Sequence, residues 1–129
     1  MKPILAVLAG AITGVIVIQV LESAGHSMFP IEMDFSKMTE EDLKNFVLNL
    51  PIVNLLALIV AHFGGTIAAM IVTSLIDRGS KSSLFILGGI ILTLSIVNIA
   101  ALAHPTWFIF ADLGAIILAS FIFISMKKS

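Results

Sequence analysis

Ionisable and amide side chains that could do chemistry are rare within the apolar parts of this sequence. Each of four long apolar runs carries one that could take part in a common site: Glu22, His62, Asn98 and Asp112. Polar side chains in apolar surroundings are costly, so they mark either cross-links between helices or functional sites. Two carboxylates and an imidazole could exchange a proton there, because imidazole changes its charge near neutral pH. We therefore predict a polar cluster of these four residues with an ionic, protonic or structural role.

A divalent metal is an alternative occupant of such a cluster. Glu22 and His26 are four residues apart and would share a helical face, and His62 and Asp112 supply the same ligand types. No HExxH motif is present, and the chain has 0 cysteines, which excludes disulfides and thiolate ligands. The sequence implies no cofactor, and metal binding stays an open alternative.

The composition indicates where these residues must be placed. The chain of 129 residues is 59% hydrophobic and only 12% charged, with a mean hydropathy of +1.14. Soluble domains carry roughly 25% charged residues. Such a chain needs lipid to cover its apolar surface, which predicts an integral membrane protein with the bilayer as its partner. The net charge is −1 and no basic patch exists, which argues against a nucleic-acid partner.

Four apolar runs are long enough to cross a bilayer core of about 30 Å. We predict spans at about 3–23, 51–76, 84–103 and 106–126 within one domain, 1–129. A signal peptide ending near Ser23-Ala24-Gly25 is the alternative for the first run, but its length favours a retained spanning helix. The predicted fold is an all-α four-transmembrane-helix bundle.

The loop between the first two spans, at 25–50, contains a helix signal of its own. Thr39-Glu40-Glu41-Asp42 combines a hydroxyl N-cap with acids at the positive end of a helix dipole. Apolar residues then recur at helical spacing: Leu43, Phe46, Val47 and Leu50. We predict a short amphipathic surface helix at 38–50.

The basic residues predict the orientation of the bundle, because they accumulate in cytoplasmic loops. One side of the membrane would hold Lys2, Arg78, Lys81, Lys127 and Lys128. The other side would hold only Lys37 and Lys44, among acidic residues. Both termini are therefore expected in the cytoplasm of a bacterium, with the chain in its inner membrane and the surface helix on the extracytoplasmic side.

Small residues indicate the faces that helices use for packing in lipid. Gly10 and Gly14 form a small-xxx-small pair, and His62 and Asp112 each share a helical face with small side chains. The predicted packing residues are Gly10, Gly14, Gly65, Ala69, Ala115 and Ala119. Trp107 is predicted to be an interfacial anchor. A homo-oligomer or a larger membrane complex is compatible with this pattern.

The segments AHFGGT and VNIAALAHPTWF, followed by Asp112-Leu113, resemble a family of small bacterial four-helix membrane proteins. The residues that carry the AHxxGT, N, PxWF and DL pattern here are His62, Gly65, Thr66, Asn98, Pro105, Trp107, Phe108 and Asp112. The resemblance implies the four-helix membrane fold and no particular activity. Glu22, His26 and His104 lie outside the pattern.

Two other small four-helix families match the chain less well. Small multidrug-resistance transporters have a similar length but use a glutamate near the middle of the first helix, whereas Glu22 is expected at the end of its helix. Fluoride channels are similar in size, but their phenylalanine-rich motif is absent. Neither resemblance holds.

Three functions remain open. We favour a structural or accessory membrane subunit that is not an enzyme, whose polar residues fix the helix packing. A small oligomeric transporter or channel that moves a proton or ion through His62 and Asp112 is the alternative. A metal-assisted membrane enzyme that uses the same cluster is the third.

Overall fold

The computed structural model describes residues 1–31 and 34–127, apart from the side chain of Phe35. These residues form five α-helices, and no β-strand occurs among them. The helices are α1 (Lys2–Met28), α2 (Glu40–Leu48), α3 (Ile52–Ile76), α4 (Lys81–Ala101) and α5 (Thr106–Met126). A short 3-10 helix at Phe35–Lys37 precedes α2.

All but α2 are long and apolar enough to cross a membrane. The predicted all-α fold with four spans and a short helix between the first two is confirmed. Lys128, which contributed to the predicted orientation, lies outside the described residues.

Helix α1 is longer than predicted, and this changes the position of Glu22. The Ser23-Ala24-Gly25 segment stays helical, and α1 continues to Met28. It ends before Pro30 because proline disfavours helical geometry at the residue that precedes it. Glu22 therefore lies inside the helix, roughly 9 Å from its end at 1.5 Å per residue. The expectation that it stands at the helix end was wrong.

Helix α4 begins earlier than predicted, at Lys81, because Ser80 caps it. The Ser80 hydroxyl accepts a hydrogen bond of 3.1 Å from the backbone N–H of Ser82. This satisfies one of the free amide groups at a helix start. Helices α3 and α5 each follow a proline, Pro51 and Pro105, whose backbone geometry suits the residue before a helix.

The four long helices form a ring in the order α1, α3, α5, α4. The most extensive contact is between α1 and α3, and α5 lies between α3 and α4. Helices α1 and α4 run antiparallel to α3 and α5. One end of the bundle, the acidic end, carries α2 and the turn 102–105. The other, the basic end, carries Lys2, the loop 77–80 and Lys127.

Glycines allow α1 and α3 to approach closely in the half of the bundle near the basic end. A Cβ added to Gly10 would lie 2.8 Å from the carbonyl oxygen of Ala69 and would overlap Oγ1 of Thr73. A Cβ added to Gly14 would lie 3.0 Å from Cβ of Ala69. The hydroxyl of Thr73 donates a hydrogen bond of 3.1 Å to the carbonyl oxygen of Ala6 across this contact. Close backbone packing of this kind drives helix association in lipid.

The basic end is also tied together by polar contacts. Nζ of Lys127 donates to the carbonyl oxygen of Asp77 at 2.8 Å and to Oγ of Ser74 at 3.2 Å. A positive charge is favourable there, because the carboxyl end of α3 carries free carbonyl groups and the negative end of the helix dipole. The hydroxyl of Ser83 donates to the carboxylate of Asp77. Helices α3, α4 and α5 are therefore joined at this end.

Helix α4 is packed unevenly along its length. Its buried residues, Ser83, Leu84 and Leu87, all lie in its first two turns. There α4 contributes to the apolar core cluster, which also includes Met70 of α3. No residue of α4 beyond Leu87 is buried. The bundle is therefore tightly packed near the basic end and open between α1 and α4 near the acidic end.

The short helix α2 carries the predicted cap. Oγ1 of Thr39 accepts a hydrogen bond of 3.1 Å from the backbone N–H of Asp42, and the carboxylate of Asp42 accepts one of 3.0 Å from the N–H of Thr39. This reciprocal pair is a capping box. The helix spans 40–48 rather than the predicted 38–50. The bond from the Thr39 backbone holds the pKa of Asp42 below its ordinary value of 3.8.

Acidification is therefore expected to unwind the first turn of α2. A carboxyl group whose pKa is lowered by folding stabilises the helix fully when the pH is above its ordinary pKa. This contribution is lost as the pH falls through the lowered pKa. Backbone chemical shifts of 40–48 should move toward random coil below the ordinary aspartate pKa of 3.8. Asp42→Asn should show most of this loss at neutral pH. Glu41→Gln, the matched control, should not, and equal effects of the two substitutions would contradict the cap.

Candidate functional site

The imidazole of His62 lies between two carboxylates that belong to different helices. Its Nδ1 is 2.7 Å from Oδ1 of Asp112 on α5, a hydrogen-bond distance. Its Nε2 is 3.5 Å from Oε1 of Glu22 on α1, a longer ionic contact. A carboxylate can only accept, so Nδ1 donates to Asp112 while that carboxylate is ionised. Glu22, His62 and Asp112 are called the triad below.

Burial increases across the triad from α1 to α5. The side chain of Glu22 is 26% exposed, that of His62 is 13% exposed and that of Asp112 is 1% exposed. Asp112 is therefore sealed behind the imidazole, whereas Glu22 faces open space. The carboxylate of Asp112 can therefore fix the orientation of the imidazole, and the carboxylate of Glu22 can contact a ligand.

The surroundings of His62 and Asp112 show which way their helices face. Oγ1 of Thr66 donates a hydrogen bond of 2.7 Å to the carbonyl oxygen of His62, one turn earlier on α3. On α5, Ile116 and Ala119 are buried on the face of Asp112, and Ala115 is half-buried. The face of α5 that carries Asp112 therefore points into the bundle.

Asn98 does not join the triad as the four-residue cluster predicts. It is exposed on α4, and none of the described residues hydrogen-bonds to its side chain. The reason is the loose packing of α4 near the acidic end, which leaves a gap between α4 and α1. Asn98 lines this gap together with Glu22 and His62.

The gap is a cavity of about 330 Å³ bounded by α1, α3 and α4, and is called the lateral groove below. Its polar lining residues are Gln19, Glu22, His62, Ser95 and Asn98. Its apolar walls include Val15, Ile18, Ile90, Ile91 and Leu94. Exposed residues on both α1 and α4 form its rim, so it opens on the flank of the bundle.

Gln19 and Ser95 are site residues that the sequence reasoning missed. Gln19 lies three residues before Glu22, and Ser95 lies three residues before Asn98. Residues three apart share a helical face. This spacing was the available signal, and it could have identified both.

A smaller cavity of about 110 Å³ lies at the acidic end, where α2 approaches α1 and α3. Glu22 lines this cavity as well as the lateral groove, and His26, Phe46 and Leu50 are among its other lining residues. Asn54 closes its side, with Nδ2 donating a hydrogen bond of 2.9 Å to the carbonyl oxygen of Phe29. Glu22 therefore stands between two cavities.

The proposed metal ligands do not assemble into a metal site. The two ring nitrogens of His62 point to different carboxylates, so Glu22 and Asp112 lie on opposite edges of the ring. Within 1–31 and 34–127, no group of three or more His, Cys, Asp or Glu side chains is arranged to hold a metal ion. His26 lies in the smaller cavity instead. A donor set centred on one point, as zinc requires, is not formed.

The turn before α5 is separate from the triad. Nδ1 of His104 donates a hydrogen bond of 2.8 Å to the carbonyl oxygen of Leu102, and its ring stacks on Phe108 at 4.9 Å. Trp107 packs edge-on against Phe108 and is 42% exposed. His104 is thus a turn residue, and the interfacial role of Trp107 stays a prediction.

Comparison of the chain with protein-family models, with curated proteins and with solved structures finds no match.

Proposed function

We propose that this membrane protein is a small proton- or cation-linked transporter whose binding site is the triad. One observation carries the proposal: Glu22 and His62 line the open lateral groove, while Asp112 holds the imidazole from behind. An anchored ring beside an accessible carboxylate is suited to binding and releasing a positive charge.

The charge balance of the triad supports a reversible cation. A protonated His62 neutralises one carboxylate, and the second then needs a proton or a cation. The described Lys and Arg residues all lie outside the middle of the bundle, at Lys2, Lys37, Lys44, Arg78, Lys81 and Lys127. An unpaired charge in a low-dielectric interior costs several kcal/mol. The triad therefore binds either a proton or a cationic ligand, and the two compete.

The packing of the helices supports access to the triad from one side of the membrane at a time. The core cluster and the α1–α3 contact close the half near the basic end, whereas the lateral groove opens near the acidic end. Helix α4 is the least buried of the four long helices, so we assign to it the movement that opens and closes the groove. With the basic end in the cytoplasm of a bacterium, the triad lies on the extracytoplasmic side. A homo-oligomer belongs to this proposal as a means of covering exposed apolar faces other than the one where the groove opens.

Proton exchange at the triad tests the proposal without knowledge of the cargo. Purified protein in lipid nanodiscs is titrated potentiometrically over about pH 5 to 11, a range wide enough to include loss of the imidazole proton beside two carboxylates. We expect wild-type protein to exchange about one proton per chain more than His62→Leu does. Glu41→Gln, an exposed carboxylate change on α2, should match wild type in this range. Identical curves for wild type and His62→Leu would contradict the proposal.

A structural or accessory subunit is the second candidate. The Nδ1–Asp112 bond of 2.7 Å joins α3 to α5 in a buried position, as a cross-link would. This function predicts that the triad keeps one protonation state over the same pH range. The titration therefore separates the two candidates.

A further inference from the structure

We infer that the lateral groove binds the protonated form of an amine that carries an apolar body, with Glu22 as its counter-ion. The inference rests on the proposed function, because the amine and the transported proton would compete for the same carboxylate. It adds the chemical class of the ligand, which the proton-binding triad alone leaves open.

The positive charge of the ligand follows from the lining of the groove. Glu22 is the accessible carboxylate, with 26% of its side chain exposed, and His62 is its one basic neighbour in the groove. None of the described lining residues is a Lys or Arg. Asp112 already occupies the other edge of the ring, so one imidazolium cannot neutralise both acids. An anionic ligand would add to this excess negative charge, whereas a cation removes it.

Other ionisable groups near Glu22 do not change the excess negative charge of the groove lining. His26 is one turn further along α1, is exposed, and lines the smaller cavity at the acidic end. Helix α4 faces the groove with Ser95 and Asn98, which are uncharged. From α3, the ionisable group that faces Glu22 is His62.

The neutral polar residues favour a head group that carries N–H bonds. Gln19, Ser95 and Asn98 supply amide and hydroxyl oxygens that accept hydrogen bonds. Among the described residues, no Phe or Trp lines the groove. Quaternary ammonium groups donate no hydrogen bond and are typically recognised by aromatic rings. The groove therefore suits a primary or secondary ammonium group better than a quaternary one.

The size and walls of the groove require an apolar body behind that head group. Its volume of about 330 Å³ is roughly ten times the 30 Å³ that a water molecule occupies in the liquid. A bare inorganic ion would leave most of this space unfilled beside the apolar side chains of Val15, Ile91 and Leu94. The rim lies on the flank of the bundle, which is where lipid covers a membrane protein. An amine that partitions into the bilayer could enter from there.

Calorimetric titration of nanodisc-embedded protein with three matched compounds tests the inference. The probes are 2-phenylethylamine, its N,N,N-trimethyl derivative and 2-phenylethanol, with empty nanodiscs as the blank. We expect the primary amine to bind about tenfold or more tightly than either analogue, since charge-assisted hydrogen bonds are lost in both.

Variants locate the binding site. Glu22→Gln should weaken amine binding about tenfold or more, while Glu41→Gln should leave it unchanged. Asn98→Ala should reduce the preference for the primary over the quaternary amine, and Asn45→Ala, an amide change on α2, should not. Unchanged binding to Glu22→Gln would place the amine elsewhere and overturn the inference.

The outcomes also separate this inference from the proposed function. If the primary and quaternary amines bind equally, the assignment of the head group is wrong. If no amine binds while the triad still exchanges a proton, the ligand class is wrong and the proton site stands. If neither amine binding nor proton exchange occurs, both proposals fail and the triad is structural.

Discussion

Asp112→Leu is expected to lower the free energy of unfolding by about 3 kcal/mol, near the lower end of the effect of breaking a buried ion pair. An ordinary hydrogen bond between membrane helices contributes only about 0.6 kcal/mol. We expect the effect of a broken buried ion pair rather than that of an ordinary hydrogen bond, because Asp112 is 1% exposed and its Oδ1 lies 2.7 Å from Nδ1 of His62. Reversible unfolding in mixed micelles measures the change.

Three companion variants show whether charge, hydrogen bonding or shape is responsible. Ala111→Leu adds the same side chain at the exposed neighbouring position and should change stability little. Asp112→Asn keeps an oxygen that accepts from Nδ1, so we expect a loss of only about 1 kcal/mol. His62→Leu combined with Asp112→Leu should cost less than the sum of the single changes, because it leaves no unpaired partner between these two residues. If Asp112→Leu is no more destabilising than Ala111→Leu, the contact does not stabilise the bundle.

Gly10→Ala is expected to lower the free energy of unfolding by about 1–3 kcal/mol, as overpacking does in a close contact. The added Cβ would lie 2.8 Å from the backbone carbonyl oxygen of Ala69, which cannot rotate away. It would also overlap the hydroxyl of Thr73, which bonds to Ala6. Helices α1 and α3 would have to separate, and their mutual hydrogen bond would lengthen.

Two glycines in the same bundle provide matched controls for this substitution. Gly89 on α4 and Gly114 on α5 are exposed, and a Cβ added to either would meet nothing within 4 Å. Alanine favours helix over glycine by roughly 1 kcal/mol, so Gly89→Ala and Gly114→Ala should be neutral or stabilising. Equal destabilisation by all three substitutions would show that the α1–α3 contact is not close.

Local signals in the sequence predicted the helices well. Each spanning helix is a long apolar run, and the cap of α2 is a short motif whose partners, Thr39 and Asp42, are three residues apart. The angular positions of His62 and Asp112 also pointed inward, because small residues share their faces. All of these features are encoded within one or two helical turns.

The parts that sequence reasoning missed depend on how helices lie against each other. Glu22 was expected at a helix end because the predicted span ends at about 23, yet α1 continues to Met28 and Gly25 lies close to Ala57 of α3. Asn98 was expected in the polar cluster from its depth along α4, a measure that carries no information on which side of the helix faces the bundle. The spacing of Gln19 and Ser95 could indicate shared helix faces, but the lateral groove depends on how α1 and α4 are placed against each other.

The restriction of buried contacts on α4 to its first two turns has a consequence for how this protein can diverge. Ile90, Leu94 and Asn98 line the groove at exposed positions of α4, whereas Ile91 packs against the core cluster. Substitutions at these exposed positions can therefore reshape the groove wall at little cost in folding stability. The stability of the bundle and the shape of the groove depend on different residues of one helix and can change independently.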